Sequence, residues 1–208
     1  MSSRKNGQQS IDSRVLALIR RRGRGSVFVP ADFLHLGSRE AIDGTLHRLT
    51  RSGSIRRLAR GVYDYPKKHP ELGLLQPSAE AVARALAGRD CTRLQSAGAY
   101  AANILGLPDQ VPGKTVFLTD GRSRTVRIGA TTIQLRQTTA RNMAAAGQLS
   151  GLVIQALRQL GKDHVTPKQV QHLKRTVPIE KRRELLMDIR LAPAWMHPIL
   201  RELAEEEA

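Results

Sequence analysis

Two short stretches of the chain carry the side chains best suited to chemistry. One holds Arg39, His47, Arg48 and Arg51, and the other holds Arg56, Arg57 and Arg60. The planar fork of arginine donates two parallel hydrogen bonds, which suits it to phosphate oxygens and to guanine edges. The implied chemistry is recognition of a polyanion, not turnover. Motifs for turnover fail in their details. Gly113-Lys114-Thr115 looks like the end of a phosphate-binding loop. The position that needs the first glycine is Pro108, however, and the segment leads into a strand where such a loop must open a helix. Gly23-Arg24-Gly25 lacks the third glycine of a dinucleotide fingerprint and reads as a basic turn. The six histidines are scattered, and His164 and His172 belong to no His-Glu-x-x-His pattern. Cys91, the single cysteine, excludes a disulfide framework and any Cys-rich zinc site, and reads as a small buried residue. The 18 acidic residues form no cluster that would hold catalytic magnesium. No catalytic residue, metal or cofactor is expected.

Charge supports the same reading. The 208 residues include 34 Lys and Arg against 18 Asp and Glu, a net charge of +16. Such a balance points to nucleic acid. Residues 1–76 hold 15 basic and 6 acidic residues, residues 77–141 hold 9 and 4, and residues 142–208 hold 10 and 8. The excess therefore sits at the front, and the last residues are acidic (Glu202, Glu205, Glu206, Glu207). Aromatics are only 3% of the chain, so the core must be built from Leu, Ile, Val and Ala. No apolar run approaches membrane-spanning length, and the polar Met1–Ser10 does not resemble a signal peptide. The expectation is a soluble, cytoplasmic protein.

Three helices and a hairpin must position the arginines. Ile11, Val15, Leu18 and Ile19 recur at helical spacing, and Gly23 and Gly25 end that helix. Val27–Val29 is a short extended run before Pro30, which opens a brief second helix through Asp32, Phe33, Leu34 and Leu36. Ser38 caps a third helix that buries Ile42, Leu46 and Leu49 and stops at Ser52-Gly53. Its outward face carries Arg39, Asp43, His47, Arg48 and Arg51. Residues 54–58 and 61–65 read as strands joined by a tight basic turn at Ala59-Arg60-Gly61. Phe28 and Phe33 belong to the core, and Tyr63 and Tyr65 to hairpin packing. Together these elements predict a winged helix-turn-helix, with the third helix in the major groove and the hairpin as the wing.

Residues Phe28 to Phe33, Leu46-His47-Arg48-Leu49, Gly53-Ser54-Ile55 and Leu58-Ala59-Arg60-Gly61-Val62-Tyr63 resemble the N-terminal domain of AbiEi-type antitoxins. Those proteins belong to type IV toxin–antitoxin and abortive-infection (phage defence) systems of bacteria. The resemblance is close over residues 11–66 and weaker beyond. It implies a transcriptional repressor that binds inverted repeats in its own promoter. It also implies a neighbouring nucleotidyltransferase-like toxin, which need not be bound directly. A homodimer on double-stranded DNA would match the repeat.

The predicted fold class is α+β. The winged helix-turn-helix spans residues 1–66 and a linker spans 67–76, because Pro66-Lys67-Lys68-His69-Pro70 is basic and bracketed by prolines. A small α+β domain spans 77–141. It has helices at 79–86 and about 96–105, and a three-stranded antiparallel meander from 115–119, 125–128 and 132–136. Arg122, Arg124 and Arg127 make its hairpin basic, and with Arg22 and Arg24 they are candidates for a secondary contact. A C-terminal helical region spans 142–208. It comprises an amphipathic helix over 142–161 and helices opening at Thr166-Pro167, Pro178 and Ala194, with Trp195 anchoring the last. Two alternatives to an antitoxin stand: a general winged-helix regulator binding DNA or RNA with no toxin partner, and a nucleic-acid enzyme with atypical motifs. The missing carboxylate cluster argues against the enzyme.

Overall fold

The structure, a computed structural model, describes residues 10–88, 93–107 and 114–205. Cys91, the Pro108–Gly113 loop, Met1–Gln9 and the acidic Glu206 and Glu207 lie outside the described residues. The fold is α+β and divides into two units, Met1–Arg89 and Asp90–Ala208.

The first unit opens with α1 (Ile11–Arg22), whose N-cap Ser10 accepts a hydrogen bond from the Ser13 N–H. Strand β1 (Val27–Phe28) follows, then a 3-10 helix over Pro30–Leu36. Helix α2 (Arg39–Arg51) is capped by the Ser38 hydroxyl, which accepts from the Ala41 N–H. Strands β2 (Arg56–Ala59) and β3 (Val62–Asp64) complete an antiparallel sheet in the order β1-β3-β2. Gly61, at φ 71°, supplies the left-handed turn between them. Val15, Ile19, Phe28, Phe33, Ile42 and Leu46 are buried together between the helices and this sheet. The Phe28 ring meets Phe33 edge-on at 5.5 Å and stacks on Tyr63 at 6.4 Å.

The expected linker is not irregular throughout. Lys68–His69 (β4) and Gly73–Leu74 (β5) pair as a small antiparallel ladder, turned by Gly73 at φ 69°. Helix α3 (Ala79–Ala87) is capped by Ser78 and buries Val82, Ala83 and Leu86. It lies in the first unit and packs on β1 and β3, so the boundary between units falls after it and not at residue 77.

The second unit departs further from the sequence-based expectation. Leu94–Ala97 is a strand, β6, and only Ala99–Ile104 is helical (α4). With β7 (Lys114–Thr119), β8 (Arg124–Ile128) and β9 (Thr131–Gln137), the sheet has four strands in the order β6-β7-β9-β8. The pair β7–β9 is parallel, so the three-stranded meander is not formed. A meander would put β8 in the middle. Its Arg124, Thr125 and Arg127 are exposed, whereas Thr115, Phe117, Leu118 and Thr119 of β7 are buried, so burial sends the basic strand to the edge. The Asp120 carboxylate accepts from the Arg93 backbone N–H and guanidinium, tying the start of β6 to the end of β7.

The expected helix over 142–161 begins later, at Leu149 (α5, Leu149–Leu160), because Gly147 takes φ 81° just before it. Helix α6 (Pro167–Thr176) carries the Thr166–Gln169 capping box. The helix expected from Pro178 is split into two 3-10 turns around α7 (Arg182–Met187). Helix α8 (His197–Ala204) ends the described chain. Leu157, Leu173, Leu185, Met196 and Leu200 bring α5 to α8 into one core, with Trp195 packed against it. No helix among the described residues is long and apolar enough to cross a membrane.

Gly151 marks the tightest approach in this unit. A Cβ there would lie 2.2 Å from the Ala145 carbonyl oxygen, which is backbone and cannot swing aside. Gly151→Ala is expected to destabilise the protein by roughly 1–3 kcal/mol, read as a lower urea midpoint.

Candidate nucleic-acid interface

Helix α2 buries Ile42, Thr45, Leu46 and Leu49, and at 100° per residue Glu40, Gly44, His47 and Arg51 fall opposite them. The five residues read as its outward face, Arg39, Asp43, His47, Arg48 and Arg51, are all exposed. Two of the arginines are engaged within the protein. Arg39 Nε donates to the Asp43 carboxylate at 2.8 Å, an exposed pair worth only a few tenths of a kcal/mol. Arg48 donates from Nε and Nη2 to both oxygens of Asp12, at 2.8 and 2.6 Å. The Thr45 hydroxyl donates to the same carboxylate at 2.6 Å. Arg51 has no ion-pair partner among the described residues.

The hairpin divides its arginines by strand alternation. Arg56 and Arg57 are neighbours, so they face opposite sides of the sheet. Arg57 lies across from Tyr63 and is exposed. Arg56 lies across from Asp64, which is 1% exposed, and donates to both of its oxygens at 3.1 and 2.6 Å. It also donates to the Leu75 carbonyl. Arg56 was expected to contact nucleic acid, and the structure instead uses it to neutralise a buried carboxylate. Arg60, at the turn, is exposed.

The candidates for secondary contact also separate. Arg22 donates to Asp32 at 2.8 Å and lies over the Phe33 ring, so it is a structural residue. Arg24 stacks on the Tyr65 ring at 4.7 Å and donates to the Pro66 carbonyl. Arg122, Arg124 and Arg127 belong to the second unit. Arg122 and Arg124 are exposed, and Arg127 donates to the carbonyl of Gly129 in its own turn.

A groove of about 1040 Å³ lies beside the hairpin in the first unit. Leu16, Ile55, Tyr65 and Leu74 contribute its apolar lining, and Arg20, Arg24, Arg56, Arg57 and Lys68 its cations, with no carboxylate among the lining residues. Lys68 did not stand out from the sequence, because only folding brings it to the groove that Arg57 also lines. No group of three or more His, Cys, Asp or Glu among the described residues could hold a metal ion.

Two outcomes follow from these pairs. Arg56→Ala strands a buried carboxylate, so about 3–5 kcal/mol of stability should be lost in chemical denaturation. The hydrogen bond from Arg48, reinforced by Thr45, lowers the Asp12 pKa to about 2. A depressed carboxylate pKa adds stability above the unfolded value, and this is lost as pH falls through the folded one. Between pH 4 and 2 the wild type should therefore lose up to about 1 kcal/mol of its advantage over Asp12→Asn in parallel melts, a modest figure because solvent screens the pair.

A model described as a family of unknown function, DUF6088, matches residues 14–185, and the chain belongs to that family. No curated protein matches. Among solved structures, the crystal structure of the RV2827C protein from Mycobacterium tuberculosis is similar at a TM-score of 0.47 and 18% identity, covering 94% of this chain and 76% of that one.

Proposed function

We propose that this DUF6088 protein is a DNA-binding regulator whose first unit works as a winged helix-turn-helix. In this reading α2 enters the major groove, the β2–β3 hairpin is the wing, and the cationic groove beside the hairpin follows a phosphate backbone. One observation carries it. A single small unit presents an exposed helix face and an exposed hairpin, and Arg51, Arg57 and Arg60 on them have no carboxylate partner among the described residues.

The physiological role proposed is that of an antitoxin. The protein represses its own operon from promoter inverted repeats, as a homodimer on double-stranded DNA, and counters a nucleotidyltransferase-like toxin. This part rests on the resemblance of residues 11–66 to AbiEi-type antitoxins. The second reading is a general nucleic-acid binder without a toxin. The groove favours it, because a lining of cations such as Arg20, Arg57 and Lys68 beside apolar side chains, with no carboxylate among the lining residues, reads charge and not sequence.

Binding to the protein's own upstream DNA and to a scramble of equal length, at two salt concentrations, separates the two. A preference of about a thousandfold or more supports the operator-binding regulator. Equal, salt-labile binding supports the general binder, and no binding to either overturns both. Arg51→Ala is expected to weaken the preferred site by roughly 1–3 kcal/mol. Arg57→Ala and Arg60→Ala should each weaken all sequences alike and flatten the salt slope by about one. Co-expression with the neighbouring gene then tests the antitoxin role through rescue of growth.

A further inference from the structure

Among the described residues, Arg48 is the one arginine on α2 that is tied to another helix. Its Nε and Nη2 are both taken by the Asp12 carboxylate of α1, and the Thr45 hydroxyl, 3.2 Å from Nη2, closes the triangle. Nη1 takes no part in these bonds and lies above Gly44. A Cβ at position 44 would sit 3.3 Å from Nη1, the one atom outside the local helix backbone that it would meet within 4 Å. Glycine in a helix interior is destabilising relative to alanine. A methyl here would press on Nη1 and push the guanidinium a few tenths of an ångström aside, so glycine lets it lie close over the helix.

This arrangement changes what Arg48 can bind. A guanidinium on a free stem goes to the nearest phosphate, a contact without sequence information. A guanidinium clamped along one edge by a carboxylate has its charge compensated in place, and the same carboxylate repels phosphate oxygens. Its remaining N–H groups are those of Nη1, and with the charge compensated they suit a neutral acceptor. Guanine offers two such acceptors in the major groove, O6 and N7.

We propose that Asp12 is a positioning residue that holds Arg48 over Gly44 so that its Nη1 end reads guanine and not phosphate. The inference rests on the reading that α2 faces DNA. The test is selection from a randomised duplex library by the full chain, comparing wild type with Asp12→Asn, Arg48→Ala and Arg48→Lys, each first checked for a cooperative melt. Wild type should enrich a motif containing a guanine. Asp12→Asn should lose roughly tenfold in preference at that one position, which is also the position that Arg48→Ala loses. Binding of Asp12→Asn to scrambled duplex should gain about one phosphate contact in salt slope, because the freed guanidinium turns to the backbone. Arg48→Lys keeps the charge without the fork, so it should lose the guanine and retain scramble binding. A guanine preference that survives in folded Asp12→Asn, or in Arg48→Lys should Asp12→Asn not fold, overturns the proposal while leaving DNA binding intact. A wild type that enriches no motif removes the sequence-specific reading and this inference with it, and leaves only the general binder.

Discussion

The buried carboxylate of Asp64 sets much of the architecture of the first unit. It is 1% exposed and lies in the sheet across from Val27 on one side and Arg56 on the other. A lone buried carboxylate is strongly unfavourable, so it needs a cation that can come in along the strand. Arg56 supplies that cation and spends another donor on the Leu75 carbonyl, which fastens the chain leaving the hairpin. Strand alternation then obliges Arg57 to face the other way, where it is exposed to solvent. One ion pair thus decides which of two adjacent arginines is structural and which is available to a partner.

The same sorting runs through the rest of that unit. Asp32 takes Arg22, and Asp12 takes Arg48. With 15 basic residues and only 6 acidic ones in residues 1–76, most cations have no carboxylate to meet. The carboxylates lie where helices and strands join: Asp12 ties α1 to α2, and Asp32 ties the 3-10 helix to the end of α1. The arginines left over among the described residues include Arg14, Arg20 and Arg21 on α1 as well as Arg51, Arg57 and Arg60 on α2 and the hairpin, all exposed. A surface that concentrates positive charge in this way attracts polyanions and repels other copies of itself.

The second unit answers to burial more than to charge. Its central strand β7 has neighbours on both sides and buries Phe117 and Leu118 together with Thr115 and Thr119. Strand β8, with its exposed arginines, takes the edge, where charged side chains discourage pairing with another sheet. Alternating patterns in 115–136 mark strands correctly but carry no information about their order. The charge on β8 was the available clue that it could not be central.

Helix caps and turns were readable locally. Ser38 and Ser78 cap helices as their positions suggested, Thr166 does so with Gln169, and Gly61, Gly88 and Gly161 adopt the left-handed φ that ends an element. These depend on a few neighbouring residues, so a linear reading captures them. The apolar spacing also identified the core of the first unit, including Phe28 and Phe33, and the exposed face of α2. Ser96 and Ala97, the second half of β6, were read as the start of the helix to 105, because the Leu-Gln-Ser-Ala run favours neither state; pairing with β7 decided it. The roles of Arg22, Arg48 and Arg56 were likewise hidden, because Asp32, Asp12 and Asp64 lie 10, 36 and 8 residues away. Sequence by itself determined the helices and the β2–β3 hairpin of the first unit, the core residues they bury and the sign of the surface, since these follow from local propensity, periodicity and composition; the β4–β5 ladder was not legible there. Tertiary structure alone decided the strand order of the second unit and which arginines are already bound, because both depend on contacts between residues that only folding brings together.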